Sequence, residues 1–134
     1  HLAANIARGA AWGRLRGMRV VVFDDVLFAR QHEYVGMDCE LKFFEHADEA
    51  VRVVAAEQPD VVLMDYAMEE HATGEEAISA LRKEWPRGRL RIVGISSDVL
   101  SNERLVAAGA DDAVPKTHLR GYLRSILRGR SAGG

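Results

Sequence analysis

The chain is poor in cysteine, proline and aromatic residues: 134 residues hold one Cys, three Pro and 7% aromatics. A lone Cys39 excludes an internal disulfide framework and fits a reducing compartment. It follows an acidic turn and opens an apolar run, so it reads as a small buried hydrophobe. No apolar run reaches the roughly 18 residues of a membrane span, and no signal-peptide pattern opens the chain. An excess of one charge is also missing. Eighteen Lys and Arg against twenty Asp and Glu leave a net charge of −2, which makes no electrostatic case for nucleic acid. The cations gathered near the start (Arg8, Arg14, Arg16) and near the end (Lys116, Arg120, Arg124, Arg128, Arg130) read as solvated surface charge. Internal repeats and low-complexity tracts are absent as well.

What is present suits one domain with a core of its own: 48% hydrophobic and 28% charged residues. Residues 1–17, rich in Ala, Gly and Arg, stand apart as a linker or an extra N-terminal segment, with Trp12 as a docking anchor. Residues 18–130 form the domain, and 131–134 read as a tail. The first residue is His1, not Met, from which we expect processing, a tag or excision from a longer protein.

From Met18 strand-like and helix-like segments alternate. Val20–Phe23, Val61–Met64 and Ile92–Ile95 are short continuous apolar runs, the pattern of strands buried on both faces of a parallel sheet. Leu41–Phe44 is more amphipathic and reads as an edge strand. Ala113–Val114, followed by Pro115, reads as the other edge. Between them, Ala50, Val51 and Val54 share a helical face. Thr73 and Glu76 form a capping box that starts a helix at Gly74; it buries Ala77, Ile78, Leu81 and Trp85 and stops at Pro86. Leu119, Tyr122, Leu123, Ile126 and Leu127 make an amphipathic stripe. Five strands alternating with five helices predict a flavodoxin-like α/β/α sandwich, a five-stranded parallel sheet of order 2-1-3-4-5.

The polar residues fall at informative places. Asp24 and Asp25 follow the first run, Asp65 the third, Ser96 and Ser97 the fourth, and Lys116 the fifth. Parallel strands end along one edge of the sheet, where such folds bind ligands, so these residues converge. Three carboxylates that close repel by roughly several kcal/mol when partly buried. A cation relieves that repulsion, and an all-oxygen donor set suits Mg²⁺. Lys116 adds a point charge for a phosphoryl oxygen and Ser96 a hydroxyl donor. Together these groups make a site for phosphoryl transfer onto an aspartate.

The segments VVVFDD (20–25), PDVVLMD (59–65), IVGISSD (92–98) and GADDAVPK (109–116) resemble the receiver domain of bacterial two-component response regulators over about residues 18–129. The resemblance implies that Asp65 accepts a phosphoryl group from a phosphohistidine of a sensor histidine kinase or phosphotransfer protein. It implies that Asp25, Asp65 and the backbone carbonyl of Ala67 bind Mg²⁺, with Asp24 acting through water. Ser96 would be the switch hydroxyl, Lys116 would pair with the phosphoryl group, and Ser97 would leave it room. The surface of the fourth helix, fifth strand and fifth helix would then turn toward a downstream protein. A cytoplasmic phosphoacceptor is implied, not a turnover enzyme, without direct contact to nucleic acid or membrane.

Several positions depart from that family's pattern. Ala113 stands where a Tyr or Phe is usual, Thr117 where a Pro follows the lysine, and Glu69 where a Pro is common. Gly74 falls one residue late, and the first helix, Val26 to about Met37, looks short. These departures touch transmission, not chemistry, so we expect competent phosphorylation with an atypical output surface. The runner-up, favoured by Ala113 and Thr117, is a pseudo-receiver, a constitutive interaction module that is never phosphorylated. A flavodoxin-like cofactor binder or an aspartate-dependent phosphohydrolase fits less well. The first lacks a Gly-rich phosphate loop after strand one, and the second lacks an alternating acidic pair with a following Thr. His71, near the loop after Asp65, has a metal ligand or proton shuttle as its alternative reading, but like His32, His46 and His118 it reads first as a solvated loop residue. Glu69 and Glu70 read as a solvated pair, and Trp85 and Tyr122 as core.

Overall fold

The computed structural model describes residues 17–133; Trp12 and the rest of the N-terminal segment lie outside them. Five strands alternate with five helices: β1 (Arg19–Phe23), α1 (Asp25–Ala29), β2 (Glu40–Phe44), α2 (Ala50–Glu57), β3 (Val61–Met64), α3 (Gly74–Glu84), β4 (Arg91–Gly94), α4 (Val99–Ala108), β5 (Asp112–Ala113) and α5 (Leu119–Gly133). All strand pairs are parallel and the order is β2-β1-β3-β4-β5, as the alternation predicts. α5 runs through residues 131–133, which the sequence reads as a tail. No helix among the described residues is long and apolar enough to cross a membrane.

Side chains alternate across the sheet and divide the core in two. Val21, Phe23, Val62, Met64 and Ile92 face α2, α3 and α4, meeting Val54, Ile78, Leu81 and Leu105. Val20, Val22, Leu63 and Val93 face α1 and α5, meeting Leu27, Leu119 and Leu123. Cys39 joins this second layer, buried with a free thiol that burial pushes up in pKa. The central strands β1 and β3 are covered on both sides, hence their unbroken apolar runs. β2 is half-buried at every position, as an edge strand should be.

The helix signals act as read. Thr73 Oγ1 accepts from the Glu76 amide at 3.2 Å while Glu76 Oε1 accepts from the Thr73 amide at 2.9 Å, closing the capping box of α3. The first helix is short: α1 stops after five residues and a 3₁₀ turn, Gln31–Tyr34, follows. Tyr122 packs with the α5 layer but also accepts a 2.6 Å hydrogen bond from Arg91, so it is not purely apolar core.

Register is what positions the site. Phe44, Phe23, Met64, Gly94 and Ala113 stand in one row across the five strands. The residues just past that row emerge along the carboxyl-terminal edge. Asp24 and Asp65 therefore leave adjacent strands side by side, about 5 Å apart in backbone spacing.

Candidate functional site

Asp24 is wholly buried and does two jobs. Its Oδ1 accepts from the Leu27 amide at 2.9 Å as the N-cap of α1. Its Oδ2 accepts no hydrogen bond of good alignment, but Lys116 Nζ stands 2.9 Å away as an ion-pair partner. Asp25, half-buried, opens α1 and its Oδ1 accepts from the Val26 amide at 2.8 Å.

Asp65 is 6% exposed. Its Oδ1 accepts from the Tyr66 amide at 2.9 Å, and its Oδ2 accepts from Lys116 Nζ at 3.2 Å. Burial, and then the Asp24 charge, push the Asp65 carboxyl above the usual range; Lys116 and the Tyr66 amide pull it back only in part. Burial alone would lower the Lys116 ammonium, but Asp24 and Asp65 outweigh it and hold it above the ordinary lysine value. One cation thus bridges two buried carboxylates. The three acids Asp24, Asp25 and Asp65 each offer an oxygen within 4.8 Å of the others, which puts together three residues drawn from two strand ends.

Such a donor set fits a hard divalent cation. It is all carboxylate, and the buried Asp24 Oδ2 lacks an aligned donor. Lys116 supplies only one positive charge to the group, so net negative charge remains for an ion to neutralise. Ala67 lies two residues past Asp65, exposed, in the loop between β3 and α3.

Ser96 is also brought to this edge, 7% exposed, but its hydroxyl is engaged elsewhere. Its Oγ accepts from the Asp98 amide at 3.0 Å. Asn102 grips its backbone from both sides, accepting from the Ser96 amide at 2.9 Å and donating to its carbonyl at 2.8 Å. Asp98 in turn caps α4 through the Ser101 amide at 2.9 Å and hydroxyl at 2.8 Å. Ser97 is exposed.

One supporting residue escaped the sequence reading, and for a second only the reason did. The Asn102 clamp has no periodic signature, since an amide six residues downstream is an ordinary helix residue by pattern. Gly74, which the family pattern makes look misplaced, is demanded by contact. A Cβ there would stand 1.9 Å from the Asp65 carbonyl oxygen, so only glycine lets α3 begin against the end of β3. Its amide donates to the Tyr66 carbonyl at 2.7 Å, holding that approach. Tyr66 OH continues outward, donating to Glu75 at 3.2 Å and accepting from Arg104 at 3.1 Å.

Known proteins can now be set beside this geometry. The response regulator receiver domain family matches residues 20–128. The fold is similar to the receiver domain of sensor histidine kinase PA1611 from Pseudomonas aeruginosa PAO1, which has a magnesium ion coordinated in its active-site cleft. That likeness has 21% identity over 84% of this chain and 95% of that one, with a TM-score of 0.69. The response regulator domain of Thermotoga maritima CheB is 25% identical over 84% and 95% of the two chains, TM-score 0.64. Vibrio cholerae chemotaxis protein CheY4 is 21% identical over 84% and 97%, TM-score 0.66. No curated protein matches the chain.

Proposed function

The chain belongs to the response regulator receiver domain family, and on that premise we propose that it is a two-component phospho-switch whose acceptor is Asp65. The observation that carries the reading is the bridged pair: Asp24 and Asp65 leave adjacent strands with Lys116 Nζ 2.9 and 3.2 Å from their oxygens. Asp25 completes a carboxylate cluster beside them.

The proposed step is a displacement at phosphorus. An Asp65 carboxylate oxygen attacks the phosphorus of a phosphohistidine presented by a sensor histidine kinase or phosphotransfer protein. The new O–P bond forms as the P–N bond breaks, and the histidine nitrogen leaves with the electron pair. The attacking group must be ionised, and Lys116 favours that form, offsetting in part the rise that burial and the Asp24 charge impose. The raised basicity that burial confers makes the carboxylate a better nucleophile once ionised. Asp25, Asp65 and the Ala67 carbonyl are the groups that would hold Mg²⁺, with Asp24 behind them; bound there, it would neutralise charge on the phosphoryl oxygens. The chain takes up the group and later loses it by hydrolysis, so it is a phosphoacceptor and not a turnover enzyme.

Acyl phosphate formation adds close to two negative charges. Lys116 stays paired with that charge. Ser96 Oγ must leave the Asp98 amide to reach a phosphoryl oxygen, which loosens the start of α4. Val99 and Leu100, 70% and 67% exposed on α4, support reading this face as the one a downstream protein meets. A cytoplasmic location fits the lone thiol and the kinase partner.

Incubation with acetyl phosphate and Mg²⁺ should yield a mass increase of one phosphoryl group, lost on Asp65→Asn and sensitive to alkaline hydroxylamine. The pseudo-receiver reading is favoured by Ala113, half-buried in β5 where an aromatic is usual, and by Thr117. It predicts no adduct, and no change in partner binding on Asp65→Asn.

A further inference from the structure

A second cluster lies at the same end of the sheet, outside the acidic pocket. His46 and Asp48 come from the segment between β2 and α2, and His71 from the loop between β3 and α3. The sequence reads both histidines as solvated loop residues, 25 positions apart. The fold stacks them, with ring centroids 4.0 Å apart and planes within 8°. Both present Nδ1 to one carboxylate oxygen. Asp48 Oδ2 is 2.6 Å from His71 Nδ1 and 3.8 Å from His46 Nδ1. All three donor atoms lie within 4.8 Å of one another.

Two further features make this more than a chance meeting. His46 Nδ1 is shielded from solvent and makes no hydrogen bond, its neighbour Asp48 Oδ2 standing beyond hydrogen-bond reach at 3.8 Å. The other oxygen of Asp48 is fixed by the Ala72 amide at 2.8 Å, the kind of outer support that orients a ligating carboxylate. That amide, and then His71, hold the Asp48 carboxyl below its usual pKa.

We propose that His46, Asp48 and His71 form a binding site for a borderline divalent transition cation of the Zn²⁺ class. Two imidazoles and one carboxylate are the donor set such ions prefer, whereas the all-carboxylate pocket at Asp24, Asp25 and Asp65 is suited to Mg²⁺. Donors around a tetrahedral zinc stand roughly 3.4 Å apart. The His71 contact would open by about 0.8 Å as the ion takes the place between it and Asp48, and the His46 contact would close by about 0.4 Å. Because an imidazole ligates in its own plane, one of the two stacked rings must also tilt out of the stack to converge on the ion. The remaining coordination position faces solvent, for water or a donor from another molecule. Bound metal would tie the segment ahead of α2 to the loop that follows Asp65. The site stands independently of whether Asp65 is phosphorylated.

The test is zinc titration by calorimetry with millimolar Mg²⁺ present to occupy the acidic pocket. Imidazole ¹H–¹⁵N spectra are read in parallel. Saturable binding is expected, with His46 and His71 the resonances that move together among the chain's five histidines. His46→Ala and His71→Ala should each weaken binding at least about tenfold, while Cys39→Ser should leave it unchanged. Co²⁺ should give the intense visible absorption of a tetrahedral site, lost in both histidine variants. No saturable binding, or an isotherm untouched by both substitutions, would overturn the proposal. So would spectra in which His46 and His71 stay fixed, and that arm needs no variant to fold.

Discussion

Replacing Lys116 with methionine probes the bridge on which the site depends. The ammonium stands 2.9 Å from Asp24 Oδ2 and 3.2 Å from Asp65 Oδ2. At an effective dielectric of about 20, each contact is worth about 5 kcal/mol of Coulomb attraction. Desolvation takes back much of that, and breaking a buried pair costs about 3–5 kcal/mol net. The Lys116 side chain keeps 21% of its surface in water, so the cost falls at or just below the bottom of that range, about 2–3 kcal/mol.

The pH dependence has a definite sign. Asp65 already sits above its ordinary carboxylate value through burial and the Asp24 charge. Without Lys116 it rises further, while in the unfolded chain it stays ordinary. Between those two values the folded state binds more protons than the unfolded one, so stability falls as pH rises across that window. The deficit of Lys116→Met is therefore full above the raised value and shrinks as pH falls toward the ordinary range. Urea unfolding at about pH 8 and at a pH near the ordinary carboxylate value measures this without adding screening salt. A variant within about 0.5 kcal/mol of the parent at pH 8, or an equal deficit at both pH values, would refute the coupling of these three groups.

Other perturbations separate the scaffold from the chemistry. Gly74→Ala drives a Cβ to 1.9 Å from the Asp65 carbonyl, and should cost about 2–3 kcal/mol while abolishing acetyl phosphate labelling; melting curves and intact mass check both. Arg82→Ala removes hydrogen bonds to the Gly109, Trp85 and Leu90 carbonyls and to Asp111. It should cost about 2–4 kcal/mol by urea unfolding and leave labelling of the folded protein intact. Asn102→Ala frees both backbone groups of Ser96; we expect a loss of about 1–3 kcal/mol and faster hydrogen exchange at the Ser96 amide.

The parts visible in the sequence are those that one dimension encodes. β1, β3 and β4 are read because double burial makes their apolar runs continuous. Asp24, Asp65, Ser96 and Lys116 are read because each follows such a run, and parallel order sends the run ends to one edge. What stays hidden depends on contact across the chain. Asn102, Arg82 and the His46–Asp48–His71 cluster act through partners as far as 6, 29 and 23 positions away, and no periodicity marks them. Gly74 shows the limit from the other side. Its place in the sequence looks late against the family pattern, yet the Asp65 carbonyl oxygen leaves no room for a side chain there.

The departures from the family pattern then gain a physical place. If Ala113 gives β5 no aromatic rotor, movement at Ser96 needs another route outward, and the hydrogen bonds supply one. Ser96 Oγ holds the Asp98 amide, Asp98 caps Ser101, and Asn102 one position later clamps Ser96 in return. The four residues close a loop around the first turn of α4. If Asp65 is phosphorylated as proposed, a hydroxyl that turns toward it must open that loop at the Asp98 link, which couples the phosphoryl charge to fraying of the α4 start, beside the exposed Val99 and Leu100. On the proposed reading, a beryllofluoride adduct should raise hydrogen exchange at residues 98–102 more than anywhere in β5. Equal protection in both states would place the output elsewhere, because the Ser96 hydroxyl cannot turn away without giving up the Asp98 amide.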